Sequence, residues 1–226
     1  TKKSSAAELS AARNDHEAVQ IVLRPDEPLE GFTASMGPLS LADGTTIPAD
    51  HIQVLRVAYH FVHHPTDPTS IMDEWPDALP PLNKPLNLPA GVNQPLWLLV
   101  HVPTDAKPGD YHGQLKLHAK NWSADVPVKL HVWNFALPVT NHLETAFGLS
   151  IHDICRYHQL RTDADKRRVL DMYLQSFADH RISPYDPVPL DHFQVRLLPE
   201  AKPPHAELDF SRYDAAMARA IDRFHF

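Results

Sequence analysis

The stretch VPTDAKPGDYHGQLKLHA, residues 102–119, contains the end of one strand, a rigid turn and the beginning of another strand. Pro108 fixes φ at the second position of the turn and Gly109 tolerates a positive φ at the third, which predicts a type II turn. Beyond the turn, Leu115 and Leu117 alternate with polar residues, as is typical of a half-buried strand. The stretch therefore predicts β-structure, and its residues form no pattern that indicates catalysis.

Similar strand patterns occur on both sides of this stretch. They are EAVQIVLR (17–24), GFTASMG (31–37), HIQVLRVAYHFVHH (51–64), LWLLVHV (96–102) and ADVPVKLHVWNF (124–135). Turn signals such as Asp43-Gly44 separate them, and no helical period occurs before Pro138. Many short strands of this kind predict an antiparallel β-sandwich, of jelly-roll or immunoglobulin-like type, over residues 1–139.

The hydrophobic spacing changes in the last third of the chain. A helix is predicted over Thr162–His180, with Thr162 as its capping residue, and a second helix is predicted to be capped by Ser211. Short strands are predicted before them, at 142–150 and 181–187. Strand, helix, strand and helix in this order predict that residues 140–226 open a (β/α)8 barrel. Because such a barrel typically needs ~250 residues, we expect a further segment to complete it.

Composition and charge exclude several classes of protein. Lys and Arg number 21 against 28 Asp and Glu, which leaves no basic surplus to neutralise the phosphates of a nucleic acid. No run of about 18 apolar residues could span a membrane, and the first residues show no apolar segment of a signal peptide. The lone Cys155 excludes an internal disulfide and a cysteine-based zinc site. His60, His63 and His64 do not all share one face of a strand, so neither a metal nor a cofactor is predicted.

Five segments resemble the N-terminal half of bacterial proteins with a glycoside-hydrolase-like barrel, in particular those of glycoside hydrolase family 123. They are SAARNDHEAVQIVLRP (10–25), WPDALPPL (75–82), NQPLWLLVHVPTDAKPGDYHGQLKL (93–117), VPVKLHVWNFALP (126–138) and HLETAFGLS (142–150). The third is the most specific, because its turn and both flanking strands match together. The resemblance covers most of the chain. It implies a β-sandwich followed by a (β/α)8 barrel, and its characterised activity is that of a β-N-acetylgalactosaminidase.

The resemblance also implies where the catalytic groups lie. In family 123 an adjacent Asp-Glu pair on a later barrel strand carries the reaction. The Glu is the general acid, and the Asp orients the substrate's own acetamido group for attack on the anomeric carbon. No position here matches that motif, since Asp73-Glu74 belongs to the proline-rich segment of the predicted sandwich. We therefore expect these residues alone to be inactive, and we expect a periplasmic or secreted location for the intact protein.

Candidate substrate-binding residues follow the two predicted barrel strands, because barrel active sites lie at the carboxyl ends of the strands. His152 and Asp153 follow the first strand, and Tyr185 and Asp186 follow the second. Carboxylates bind sugar hydroxyls, and an aromatic ring stacks on the C–H face of a sugar. The alternative is that Asp153 caps a short turn, and that Tyr185 and Asp186 only belong to a loop fixed by prolines.

Two functions follow from these observations. The leading hypothesis is the N-terminal part of a bacterial glycoside hydrolase that acts on carbohydrate, with N-acetylhexosaminides among the candidate substrates. The alternative is a non-catalytic carbohydrate-binding or adhesion module with an immunoglobulin-like sandwich. Trp122 lies at a predicted hairpin tip and is the tryptophan we expect to be exposed, although a single exposed tryptophan is more often incidental than part of a binding site.

Overall fold

The computed structural model describes residues 6–140, 143 and 145–226. The chain divides into two compact units, the first reaching to Leu137 and the second beginning at Pro138. Within the described residues, the strands are β1 (Ala7–Arg13), β2 (Asp15–Leu23), β3 (Leu29–Met36), β4 (Leu39–Ser40), β5 (Thr46–Ile47), β6 (Ile52–Arg56), β7 (Tyr59–Phe61), β8 (Glu74–Pro76), β9 (Leu86–Leu88), β10 (Gln94–Val102), β11 (Gly109–Ala119), β12 (Trp122–Ala136), β13 (Gln194–Leu198) and β14 (His205–Asp209). The helices are α1 (Ile151–Tyr157), α2 (Asp163–Asp179) and α3 (Ser211–Phe224), and a 3-10 turn covers Ala49–His51.

The first unit is built mainly from two sheets. One has the strand order β1-β12-β11-β3-β9, with β4 beside β11 and β5 beside β4, and the other has the order β2-β10-β6. Neighbouring strands in both sheets are antiparallel except β1 and β12, which run parallel. The prediction of a mainly β N-terminal domain is confirmed, whereas antiparallel pairing throughout is wrong for β1.

Both sheets contribute to one hydrophobic core. On β10, the inward side chains of Leu96, Leu98, Val100 and Val102 have no exposed surface, and they alternate with partly exposed residues such as Trp97. The other sheet supplies Phe32, Leu39, Tyr111, Leu115, Leu117, Val128, Leu130 and Val132. Full burial of a Val or Leu side chain contributes roughly 1.5–3 kcal/mol to the stability of the fold. The strand period that turns these side chains inward therefore stabilises the unit.

Asn14 allows the chain to pass from the first sheet to the second. Its φ is 59°, a left-handed value that asparagine tolerates better than most residues. Its backbone N–H donates to the carbonyl oxygen of Val102 at 2.8 Å, and its Nδ2 donates to that of Leu137 at 3.0 Å. These bonds fix the corner, so β1 and β2 join different sheets although one residue separates them.

The turn between β10 and β11 lies earlier than the sequence predicts. The N–H of Ala106 donates to the carbonyl oxygen of Pro103 at 3.1 Å, and Gly109 is already the first residue of β11. The predicted type II turn at 107–110 is therefore wrong, although Gly109 does have a positive φ, of 144°. Because β10 and β11 belong to different sheets, the connection passes from one sheet to the other instead of closing a hairpin.

The second unit has a small hydrophobic core between its two longer helices. Leu170 and Leu174 of α2 pack with Phe224 of α3. Thr162 caps α2 as predicted, since its side chain accepts a hydrogen bond from a backbone N–H of the first turn. The cap predicted at Ser211 is wrong, because Ser211 is already helical and α3 begins without a side-chain cap. Among the helices of the described residues, none is both long and apolar enough to cross a membrane.

The extended segments of the second unit differ in part from the prediction. Of the strand predicted at 142–150, His142 and Glu144 lie outside the described residues. Phe147 forms an isolated bridge to Pro184, and this bridge is parallel. Further along the chain, β13 pairs antiparallel with β14. The five residues of β14 are all exposed, so they lack the alternation that would have predicted a strand.

Candidate functional site

The backbone around Phe147 and Pro184 fixes the position of the candidate site. The N–H of Phe147 donates to the carbonyl oxygen of Ser183 at 2.9 Å, and the N–H of Tyr185 donates to that of Phe147 at 2.7 Å. The Oγ1 of Thr145 accepts a further bond from the N–H of Ser183 at 2.6 Å. The two segments run side by side in the same direction, so the residues that follow them emerge at the same edge.

His152 and Asp153 lie in the first turn of α1, which follows the first of these segments. Ser150 begins the helix, because its Oγ accepts a hydrogen bond from the N–H of Asp153 at 3.2 Å. One oxygen of the Asp153 carboxylate lies 3.1 Å from Nη2 of Arg156, one helical turn later. The side chain of His152 is exposed, and about half of the Asp153 side chain is exposed, so both can contact a ligand.

Tyr185 and Asp186 follow the second segment. Tyr185 is 81% exposed, which leaves its ring free to stack on a ligand. The Oδ1 of Asp186 accepts a hydrogen bond from the N–H of Val188 at 2.9 Å, and its Oδ2 lies 3.0 Å from Nε2 of His192. Asp186 therefore orders its own loop and holds His192. The sequence did not indicate His192, because it lies in a segment without hydrophobic periodicity.

The loop that carries these residues is anchored to both longer helices. Asp191 accepts two hydrogen bonds from Arg167 of α2, at 2.6 and 2.7 Å, and a third from Arg212 of α3, at 3.0 Å. The Arg167 guanidinium, helped by Arg212, holds the pKa of Asp191 below its usual value against the opposing effect of burial. Val188 is buried beneath the same loop. The predicted binding residues of this loop are thus presented by a rigid support, which favours pre-organised binding.

The four predicted residues lie on two segments of the chain. Across residues 6–140, 143 and 145–226, no hydrogen bond or ion pair links His152 or Asp153 to Tyr185 or Asp186. The arrangement offers an exposed ring and two carboxylates that can accept hydrogen bonds, a set suited to binding a sugar. In the same described ranges, no group of three or more His, Cys, Asp or Glu residues could hold a metal ion.

The β-rich unit matches a known protein family. The family model described as the glycoside hydrolase 123 N-terminal domain matches residues 1–119, which is more than half of the chain. Together with the mainly β fold, this match defines a glycoside-hydrolase-like protein. The chain belongs to the family of glycoside hydrolase 123 N-terminal domains, and the resemblance seen in the sequence is confirmed.

A family 123 glycoside hydrolase from Clostridium perfringens, described for its hydrolysis of glycolipid glycans, has a similar fold. The TM-score is 0.75 at 16% sequence identity, and the match covers 100% of this chain and 42% of that enzyme. This chain therefore spans less than half of that enzyme's length. The CooA pilin subunit of enterotoxigenic Escherichia coli matches with a TM-score of 0.30 at 11% identity, over 59% of this chain and 92% of the pilin. No curated protein matches the chain.

Proposed function

We propose that this chain is the N-terminal part of a glycoside hydrolase, in which residues 1–139 form a β-sandwich and residues 140–226 open a (β/α)8 barrel. The observation that carries the proposal is the match of the glycoside hydrolase 123 N-terminal domain to residues 1–119. The parallel bridge between Phe147 and Pro184 supports the barrel, because parallel strands joined by helices are its repeating unit. In this proposal the β-sandwich is a structural scaffold for the barrel. The catalytic carboxylates lie in a part of the intact protein outside this chain.

In this proposal, four residues of the opening barrel units bind the sugar. Tyr185 stacks on the C–H face of a sugar ring, while Asp186, held by His192, accepts hydrogen bonds from the hydroxyls. Asp153 and His152 contact the substrate from the neighbouring strand end. Cleavage of the glycosidic bond uses paired carboxyl groups, or one carboxyl group and the substrate's own acetamido group. These four residues contribute the orientation of the substrate and no proton transfer.

The proposed substrate is a carbohydrate that ends in an N-acetylhexosamine. Two observations support this class: the family of the N-terminal domain and the fold shared with an enzyme described as hydrolysing glycolipid glycans. From the family resemblance we also propose a periplasmic or secreted location for the intact protein.

Steady-state kinetics of the intact protein on aryl β-N-acetylgalactosaminides test this function. We expect turnover, and we expect Tyr185→Ala to raise KM about three- to tenfold, because stacking of an aromatic ring contributes about 0.5–1.5 kcal/mol. Tyr185→Phe keeps the ring and should restore most of the affinity. The matched control is Tyr157→Ala, which removes a ring that is 74% exposed at the far end of α1 and should leave KM unchanged.

Two results would contradict different parts of this proposal. Absence of turnover on a broad panel of aryl glycosides would contradict hydrolysis and favour the alternative, a non-catalytic carbohydrate-binding or adhesion module. Turnover with equal effects of Tyr185→Ala and Tyr157→Ala would leave hydrolysis standing and remove Tyr185 from the substrate site.

A further inference from the structure

A cleft of about 890 Å³ opens in the first unit, where the end of β2 and the loop after it face the turn between β11 and β12. The floor of the cleft is apolar and includes Leu23, Leu117 and Ala119, which are buried. The rim is polar and includes Asp26 and Glu27. The volume lies within the roughly 300–1,000 Å³ that is usual for small-molecule sites.

Several polar groups on the rim are available to a ligand. Within the part of the chain that the structure describes, the side chains of Asp26, Glu27 and Asn121 make no hydrogen bond or ion pair. Their neighbour Lys120 is already paired, because its Nζ lies 3.4 Å from a carboxylate oxygen of Glu30. The rim therefore presents two carboxylates that accept hydrogen bonds and one amide that both donates and accepts them.

Trp122 adds an aromatic wall to the cleft. It is the first residue of β12, directly after the two-residue turn that follows β11, and it is 38% exposed. The hairpin tip and the exposure of Trp122 agree with the prediction, whereas singling it out is wrong, because Trp75 (43%) and Trp133 (48%) are more exposed. Among the described residues, the indole N–H has no hydrogen-bond acceptor and no other aromatic ring stacks on the indole. Both its face and its N–H are therefore available.

We propose that this cleft binds a neutral oligosaccharide. The indole face and the apolar floor match the C–H faces of sugar rings, and the rim carboxylates and amide match the hydroxyls. The charged lining consists of Asp26, Glu27 and Glu30 against Arg24 and Lys120, and this net negative charge disfavours an anionic ligand. An acyl chain would bury the carboxylates of Asp26 and Glu27 without partners, at a high desolvation cost. The proposal goes beyond the hydrolase function, because it concerns the β-rich unit and needs no turnover.

Isothermal titration calorimetry of the intact protein with maltotriose, cellotriose and triacetylchitotriose tests the proposal, and trigalacturonate is the anionic comparison. We expect at least one neutral probe to bind, and we expect Trp122→Ala to weaken that binding about tenfold or more. Trp133→Ala is the matched control and should leave the affinity unchanged. Trp133 lies on the same strand, is 48% exposed and packs edge-on against His131 outside the cleft.

Glu27→Gln provides a second variant, because it changes an exposed side chain that the fold does not use. It removes one charged acceptor and should weaken the neutral probe about threefold or more. If circular dichroism shows that Trp122→Ala does not fold, Glu27→Gln decides the outcome, and unchanged affinity in this variant overturns the proposal.

Three further results would overturn the proposal. They are no binding of any neutral probe at millimolar concentration, equal weakening by the two tryptophan variants, and tighter binding of trigalacturonate than of the neutral probes. Binding at the cleft is measured separately from turnover. An inactive protein whose binding depends on Trp122 therefore supports the cleft proposal and contradicts the hydrolase function. An active protein whose binding does not depend on Trp122 contradicts the cleft proposal and supports the hydrolase function.

Discussion

Asp191 holds the loop of the candidate site by contacting two helices at once. Arg167 donates two hydrogen bonds to its carboxylate and Arg212 donates one, and only 13% of the Asp191 side chain is exposed. Because these partners lower the pKa of Asp191 in the folded protein, they stabilise the fold fully above the usual carboxyl pKa. This contribution is lost as the pH falls through the lowered pKa.

Replacement of Asp191 by asparagine should remove this contribution to stability. At pH 7, Asp191→Asn is expected to lower the free energy of unfolding by about 2 kcal/mol, since it leaves two guanidinium groups without their anion. The difference between the two proteins should shrink as the pH falls below the usual carboxyl pKa and through the lowered pKa of Asp191, where the native carboxylate also becomes protonated. Urea denaturation at a series of pH values measures both effects. Asp222→Asn, at an exposed position of α3, is the control, and an equal loss in both variants would contradict the assignment.

Gly113 on β11 is required because neighbouring atoms approach its backbone closely. A Cβ there would lie 2.7 Å from Cε of Met36, 2.9 Å from Cδ2 of Leu39 and 3.2 Å from the carbonyl oxygen of Pro38. Gly113→Ala is therefore expected to cost about 1–3 kcal/mol, measured as a lower urea midpoint. Gly37→Ala places its Cβ in open space and should have little effect. Equal midpoints for the two variants would refute this explanation.

The elements with the clearest hydrophobic period are the ones that the sequence predicted. β2, β11 and β12 follow the alternation of apolar and polar residues, because each has one face in the core. β10 was predicted instead from a nearly continuous apolar run, as is typical of a central strand. α2 was predicted with its cap, since Thr162 stands before a stripe of helical spacing that is buried in the structure. Local pattern and tertiary burial agree in these segments.

Other elements could not be predicted, for physical reasons that differ between them. β1 buries alanines, whose small side chains give a weak strand signal, and it pairs parallel with a strand more than a hundred residues away. α1 is only seven residues long, too short for a helical period to be recognised. The loop of the candidate site depends on ion pairs between segments, and no local pattern encodes them.

For the molecule as a whole, the pattern of strands and the family resemblance predicted the class of the first unit. The positions of Tyr185 and Asp186 after an extended segment were predictable from the order of strands and helices. Their surroundings were not predictable, because His192, Asp191 and the two arginines meet only in the folded chain. The cleft beside Trp122 likewise forms from segments about ninety residues apart in sequence.

A crystal structure of the intact protein would decide whether residues 140–226 open a barrel. We expect the segments at Phe147 and Pro184 to be neighbouring parallel strands of a closed eight-stranded barrel, with Tyr185 and Asp186 at its carboxyl-terminal edge. If these segments instead pair antiparallel with the sheets of the first unit, the barrel is wrong and the hydrolase function proposed for the intact protein loses its structural basis.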